Sequence, residues 1–418
     1  MAASISYAPL RGLYGLGRVR GVARVVASSN PREPLRTISR GFQHSAPQRS
    51  TSQAVPDFAF AFDIDGVLVR SSDPIPRARE ALLFLQRSRI PFILLTNGGG
   101  KHETERITEL SSKLRVPLSA RQLIQSHTPF AALAPQYHDR HVLVVGGDHG
   151  SCRSVAHAYG FQHVVTPADI LGTTPHIWPS SAVFSAYYSS FAQPLRNDLQ
   201  KHKRSLLQIG AIFVFADPRD WALDLHLILD LLLSHQGHLG TRSPRNGDAS
   251  LPNRGYQQDG QPPLYFSNPD LWWAARYHLP RLGQGGFREA LEGVWRAVTG
   301  GEKEGVELKK EVLGKPGQAM FEYAERALGE EREEVLKGEG DVPKLRKVYV
   351  IGDNPESDIR GGNMFESPVG TEWESVLVRT GVFDGGKEPA WKPKTIVKDV
   401  WEAVQWGLDR SGWKERLE

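Results

Sequence analysis

Phe58-Ala-Phe-Ala-Phe62, followed by Asp63-Ile64-Asp65-Gly66-Val67, is the stretch that decides the fold. The first five residues are apolar and aromatic-rich and run into charge, so they read as a buried strand. In extended chain, residues i and i+2 point the same way, which sends Asp63 and Asp65 off one strand end while Ile64 faces elsewhere. Two neighbouring carboxylates repel unless a cation or a shared proton intervenes, and that predicts a hard divalent ion, most simply Mg²⁺. Open α/β sheets bind ligands beyond the carboxyl ends of their strands, where this pair is expected. Surface turns also produce Asp-x-Asp triplets; the apolar strand before this one and Gly66-Val67 after it set it apart.

Outward from that point the pattern alternates strand and helix. Ala78, Ala81, Leu82 and Leu85 recur at helical spacing behind Pro76, and 91–96 reads as a second buried strand stopped by Asn97-Gly98-Gly99-Gly100. Further strands are expected at 142–145, 182–186, 211–215, 264–267, 347–351 and 376–379. Helical patterns separate most of them, so the class is α/β with parallel sheets. Residues 241–263 read as a long surface loop and 330–340 as a charged, exposed excursion. The chain of 418 residues is long enough for two or three domains. Its single cysteine, Cys152, excludes a disulfide framework or a thiolate zinc cluster and is read as buried and inert. Its 14 histidines show no metal-ligand spacing. No apolar run reaches the roughly 20 residues of a membrane span.

Three more segments carry candidate chemistry, each with a bland reading when taken alone. Thr96-Asn97 ends the second strand, where a hydroxyl and an amide can donate to phosphate oxygens, although a glycine-rich turn explains it too. A nucleotide P-loop is rejected at Gly100-Lys101, because His102 replaces the required Ser or Thr. Gly314-Lys315-Pro316 offers a cation held in extended chain by the following proline, or merely a surface turn. Gly352-Asp353-Asn354-Pro355-Glu356-Ser357-Asp358 delivers a carboxylate at a strand end and another five residues on, or an acidic loop capping a helix near Ser357.

The order of these segments resembles the four motifs of the haloacid dehalogenase (HAD) superfamily. The long gap between Thr96 and Lys315 is similar to the NagD-like class, and the chain looks most like its mitochondrial hydrolase branch. Supporting segments are Leu95–Gly100, Asp217-Pro-Arg-Asp-Trp221, Ser267-Asn-Pro-Asp270, Arg281–Gly285 and Gly352–Asp358, so the resemblance covers about 57–390. Gly362 stands where the pattern has Ala. The resemblance implies a Rossmann-like doubly wound parallel-sheet core with a large α/β cap domain inserted between the second and third motifs. Its expected boundaries are 56–104 and 306–418 for the core and 105–305 for the cap.

It further implies a Mg²⁺-dependent phosphatase acting on a small phosphomonoester. Asp63 would be the nucleophile, forming an aspartyl-phosphate, and Asp65 the acid–base. Thr96, Asn97 and Lys315 would hold the phosphoryl group, and Asp63, the Asp65 backbone carbonyl and Asp353 the metal. Asp358 would orient Lys315 or a metal-bound water. Asp217, Arg219, Trp221, Asn268, Asp270, Arg281 and Gln284 are the candidates for substrate choice, while Trp272 and Trp273 are read as cap core. Some relatives look linked to glycerophospholipid metabolism, which suggests a phosphoglyceryl head group. Two other classes compete. A metal-dependent glycosyltransferase shares Asp-x-Asp but needs neither Lys315 nor 352–358, and a silent interaction protein has no reason to keep all six polar site residues.

Charge is unevenly spread. Residues 1–55 hold eight arginines, no lysine and one acid, Glu33; that segment is +7 and the remainder −3. Arg-rich, Ser-rich and acid-poor is the composition of an organelle presequence, here read as mitochondrial and directing the protein to the matrix. Arg40-Gly41-Phe42 resembles a fungal cleavage context. The alternative is a disordered basic tail. Nucleic acid is not an expected partner, because the remainder is mildly acidic.

Overall fold

The strand Phe58–Phe62 is central to a six-stranded sheet in which every pairing is parallel. The computed structural model describes residues 55–418 apart from Ser72, 196–205, Asp341, Asp384 and Glu418; the basic segment 1–55, and with it the presequence reading, otherwise lies outside the described residues. Across the sheet the order is Thr395–Val397, Glu372–Val378, Lys347–Gly352, Phe58–Phe62, Phe92–Thr96, Leu123–Gln125. That is the doubly wound 3-2-1-4-5-6 order, with its switch point between Phe58–Phe62 and Lys347–Gly352.

The period-two alternation of the first strand explains how it is covered. Phe58, Phe60 and Phe62 pack on one face against Ala78–Arg87, Glu103–Leu114 and Val400–Arg410. Ala59 and Ala61 face the other way, against the helix Gln318–Val335. Large residues on one face and small on the other let each helix settle at its own distance. Gly407 shows how close the approach is: a Cβ there would stand 2.7 Å from the Phe60 ring.

A second, five-stranded parallel sheet is inserted, ordered Glu311–Val312, Leu264–Phe266, Ala211–Val214, His141–Val145, His163–Val165. Leu143, Val145, Ile212 and Val214 pack against Trp221–Leu232 and Gln284–Thr299, and Val142, Val144 and Phe213 against Phe130, Val155 and Phe161 on the other face. Leu123–Gln125 pairs with the first sheet and Glu311–Val312 with the second. The chain therefore crosses between sheets after 125 and after 312, later than the boundaries at 104 and 305 expected from sequence.

Two local expectations are corrected and a third gains detail. Residues 181–189 form a 3-10 turn and a short helix, Ser181–Phe184 and Ser185–Ser189, not a strand. The charged excursion begins inside the helix Gln318–Val335, where Glu331 is buried. The loop 241–263 is on the surface but pinned, with Asp259 accepting from Ser243 Oγ and His235 Nδ1, both at 2.7 Å. Among the described residues no helix is long and apolar enough to cross a membrane.

One ion-pair cluster ties the neighbouring strands Lys347–Gly352 and Glu372–Val378 to the last helix, Val400–Arg410. Glu374 is fully buried and meets Arg410 Nε at 2.5 Å, Arg410 Nη2 at 2.6 Å and Lys347 Nζ at 3.1 Å. Burial alone would raise its pKa, but Arg410 and Lys347 outweigh that and hold it at about 2. A depressed carboxyl pKa stabilises the fold above the unfolded value near 4.5, and that stability is lost as pH falls toward 2. Glu374→Gln should thus cost on the order of 2 kcal/mol at pH 7, water screening the Arg410 end. Urea unfolding at a series of pH values should show this deficit shrinking below pH 4.5.

Candidate active site

The two sheets face each other across a cleft of about 660 Å³ at the switch point. Asp63, Asp65, Thr96, Asn97, Lys315, Asp353 and Asp358 all line it, and so do Asp217, Arg219, Asn268, Asp270 and Gln284. Asp63 and Asp353 each emerge where a parallel strand stops, and Asp358 follows in the helical turn Pro355–Ile359. The Asp63 N–H still donates to Ile351 O at 2.8 Å, which fixes Asp63 beside the strand that delivers Asp353. Gly66, at φ +97, leaves room for Asp353, since a Cβ there would meet its Oδ2 at 2.3 Å.

Lys315 is the cation of the floor. It is 1% exposed, and its Nζ donates to Asp63 Oδ1 at 2.7 Å, Asp358 Oδ1 at 2.5 Å and Leu95 O at 2.8 Å. Burial would lower its pKa, but Asp358 and Asp63 outweigh this and hold it above the ordinary lysine value. The Lys315-Pro316 bond is cis. Asp358 takes a second hydrogen bond from Asn354 N at 3.1 Å, so both its oxygens serve positioning.

The acids carry the opposite strain. Burial raises Asp63 to about 7 despite Lys315, with repulsion from Asp358 and Asp65 adding to it. Asp353 stands well above the usual carboxylate range, through burial and then through Asp63 and Asp358. One oxygen of Asp353 accepts from Val382 N at 2.6 Å. Asp63, Asp353 and Asp358 each place a carboxylate oxygen within 4.8 Å of the others. Buried, mutually repelling hard oxygen donors of this kind fit a divalent cation, which would restore the charge that burial opposes. Asp65 keeps about a quarter of its side chain open to the cleft, at 26%. Its pKa is raised by burial, partly offset by Arg106, whose Nη2 lies 3.7 Å from Asp65 Oδ2.

Asn97 behaves differently from its expected part as a phosphate donor. Both hydrogens of its side-chain amide are engaged, by Asp270 Oδ2 at 3.1 Å and Lys315 O at 2.9 Å, while its Oδ1 accepts from Lys315 N at 2.8 Å. It therefore stitches the Lys315 loop to Asp270 of the inserted unit. Asn97→Ala should cost about 1–3 kcal/mol, the range for stranding buried polar partners, readable by thermal unfolding. Thr96 Oγ1 accepts from Gly98 N at 2.9 Å, leaving its hydroxyl hydrogen to donate into the cleft.

In the inserted unit, Gln284 is buried and holds the Asn268 loop, accepting from Asn268 N at 2.9 Å and donating to Ser267 Oγ at 3.1 Å. Arg219 pairs with Asp148 at 2.7 Å on the opposite wall. Two sequence candidates do not reach the cleft. Trp221 packs edge-on to Phe287 and donates to Pro218 O at 3.2 Å, and Arg281 lies over the Tyr277 ring on an exposed ribbon. Trp272 and Trp273 correct their expected place in the core: they are 43% and 39% exposed and line the cleft. Arg106 was not legible, because nothing in a helical repeat marks the one residue that turns toward a strand end.

A model described as haloacid dehalogenase-like hydrolase matches residues 60–162, and one described as HAD-hydrolase-like matches 312–403. A mitochondrial hydrolase of Saccharomyces cerevisiae is 38% identical over 368 residues, covering 84% of this chain and 96% of that protein. The chain belongs to the haloacid dehalogenase superfamily of hydrolases. This HAD hydrolase is also 39% identical over 372 residues to a Schizosaccharomyces pombe cardiolipin synthase/mitochondrial hydrolase fusion protein, covering 88% of this chain but only 56% of that relative's length. Its fold is similar to a hypothetical protein of Pyrococcus horikoshii (TM-score 0.51, 19% identity, 84% of this chain and 99% of that one). It is likewise similar to a possible sugar phosphatase of Cytophaga hutchinsonii (TM-score 0.52, 15% identity, 83% and 95%) and a putative NagD protein (TM-score 0.50, 15% identity, 84% and 99%). The HAD hydrolase thus has a fold similar to that of a putative NagD protein, and the two fungal relatives it matches are named as mitochondrial hydrolases. Family membership sets the glycosyltransferase reading aside.

Proposed function

We propose that this hydrolase is a Mg²⁺-dependent phosphatase for a small phosphomonoester, with Asp63 as nucleophile. The observation that carries the reading is the buried Lys315, held by Asp63 and Asp358 beside Asp353 at the floor of the cleft. An Asp63 oxygen attacks phosphorus, the P–O bond to the leaving group breaks, and Asp65 gives that oxygen its proton. Asp65, now ionised, takes a proton from water; the water oxygen attacks phosphorus and frees both Asp63 and phosphate. A positioned acid–base of this kind is worth about 10²–10⁴-fold. Lys315 and the Thr96 hydroxyl face the charge that spreads over the phosphoryl oxygens, where preorganised electrostatics dominate the barrier.

Asp63, the Asp65 carbonyl and Asp353 would hold the Mg²⁺, which would neutralise phosphoryl charge when bound. Asp358 and Asn97 position Lys315. The inserted unit serves as the cap, choosing substrate through Asp217, Arg219, Asn268 and Asp270, with Gln284 holding the Asn268 loop. We assign the protein to mitochondria, with 1–55 as presequence and the matrix as destination; the names of the two yeast relatives support the organelle. The fusion in S. pombe supports a substrate of glycerophospholipid metabolism.

Purified full-length protein should release phosphate from members of a broad phosphomonoester panel with Mg²⁺ and stop when the ion is chelated. A panel with no release overturns the phosphatase reading. A reporter fused behind residues 1–55 should enter mitochondria; diffuse cytosolic signal would refute the presequence.

A further inference from the structure

Residues 271–282 form a ribbon in which Trp272–Trp273 pairs antiparallel with Arg281–Leu282. Leu271, Trp272, Trp273, Tyr277, Leu279 and Leu282 are all between 39% and 52% exposed along it. Single exposed apolar residues are ordinary, but a contiguous run of this size marks a surface that something covers. The root of the ribbon is fixed, with Gly283 N donating to Leu271 O and Gly285 N to Asp270 O, both at 2.9 Å. Asp270 in turn accepts from Asn97 in the catalytic floor, and Trp272 and Trp273 stand on the cleft rim. A second recess of about 600 Å³ shares Asp270, Trp272, Asn354 and Val382 with the cleft and is walled by Leu271, Phe383 and four prolines beside three basic and two acidic side chains. Apolar surface therefore lines one side of the way out of the phosphate site.

Charge indicates the occupant. From Leu271 to Leu282 the ribbon carries Arg276 and Arg281 and no acid, although the chain beyond residue 55 is net negative. Guanidinium groups among Trp, Tyr and Leu suit the boundary between lipid head groups and acyl chains, with rings at head-group level and cations on anionic phosphates. A second copy is a poor occupant, because an isologous interface would bring the same cationic patch against itself.

We propose that the Leu271–Leu282 ribbon docks on an anionic lipid surface, and that the cleft takes a phosphomonoester resident in that surface. The phosphate reaches Asp63 while the apolar remainder stays along the ribbon and recess. The substrate half rests on the phosphatase reading; the docking half does not.

Vesicles with brominated acyl chains test it, using the full-length protein, whose residues 1–55 contain no tryptophan and whose charge of +7 is common to every variant compared. Phosphatidylglycerol vesicles should quench tryptophan fluorescence at vesicle concentrations at least tenfold below those needed with phosphatidylcholine alone. Trp272→Phe/Trp273→Phe should lose most of the quenching. Leu279→Asp/Leu282→Asp should raise the half-maximal vesicle concentration at least tenfold, and Arg276→Glu/Arg281→Glu should lower the preference for phosphatidylglycerol relative to the wild type. The last two variants should hydrolyse soluble p-nitrophenyl phosphate at the wild-type rate yet lose phosphatidic acid hydrolysis in vesicles by the same tenfold. Equal quenching of wild type and Leu279→Asp/Leu282→Asp overturns docking, as does light scattering that shows this variant converting a dimer to a monomer without changing quenching. Ribbon-dependent quenching without phosphate release from either substrate overturns the phosphatase reading and the substrate half, and leaves docking standing.

Discussion

Lys315→Met should destabilise the chelator-treated protein by about 3–5 kcal/mol, the cost of stripping one partner from a buried ion pair. All three ammonium hydrogens have acceptors within 2.8 Å, and the side chain is almost fully enclosed. Without it, Asp63, Asp358 and Asp353 share a buried site with no cation, and either they take up protons or the site opens. Adding Asp358→Asn to Lys315→Met should recover part of the loss, giving a favourable coupling in a double-mutant cycle by urea unfolding. A single-substitution cost under about 1 kcal/mol would mean that water already reaches the floor and that the triangle does not hold the site together.

Asp63→Asn should lower phosphatase kcat by at least about 10³-fold while the protein stays folded. The amide matches the carboxylate in shape, so the Phe58–Phe62 strand end and its hydrogen bond to Ile351 O are retained. Lys315 keeps Asp358 and Leu95 O, which limits collateral damage to the floor. What is lost is a charged oxygen able to attack phosphorus. Steady-state kinetics alongside circular dichroism separate the two effects. A variant that retains tenth-level activity with unchanged folding would place the nucleophile elsewhere.

The strands that carry the site were legible because a strand buried on both faces is a continuous apolar run, and each ends abruptly in polar chemistry. Phe58–Phe62, Phe92–Thr96 and Lys347–Gly352 all show that signature. The short strands Leu123–Gln125, Glu311–Val312 and Thr395–Val397 do not; two or three residues define no period, and only their neighbours make them strands. The domain boundaries slipped for the same reason, since those short strands mark where the chain changes sheet. At 182–186 a run of Ala, Val, Phe and Ser fits strand and short helix alike. Trp272 and Trp273 misled because size and apolarity suggest a core, whereas their place on a ribbon at the cleft rim is set by tertiary packing. Asn97 was found, but sequence shows only an amide at a strand end, not the Asp270 and Lys315 groups that engage its side chain.

The assignment of Asp63 as nucleophile is tested most directly by trapping. Asp65→Asn protein, mixed with Mg²⁺ and an active substrate whose leaving group needs no proton, should accumulate one phosphoryl group per chain. Peptide mass spectrometry should place it on Asp63, and Asp63→Asn/Asp65→Asn should show none. Phosphate release without any adduct, or an adduct on another residue, would contradict the assignment.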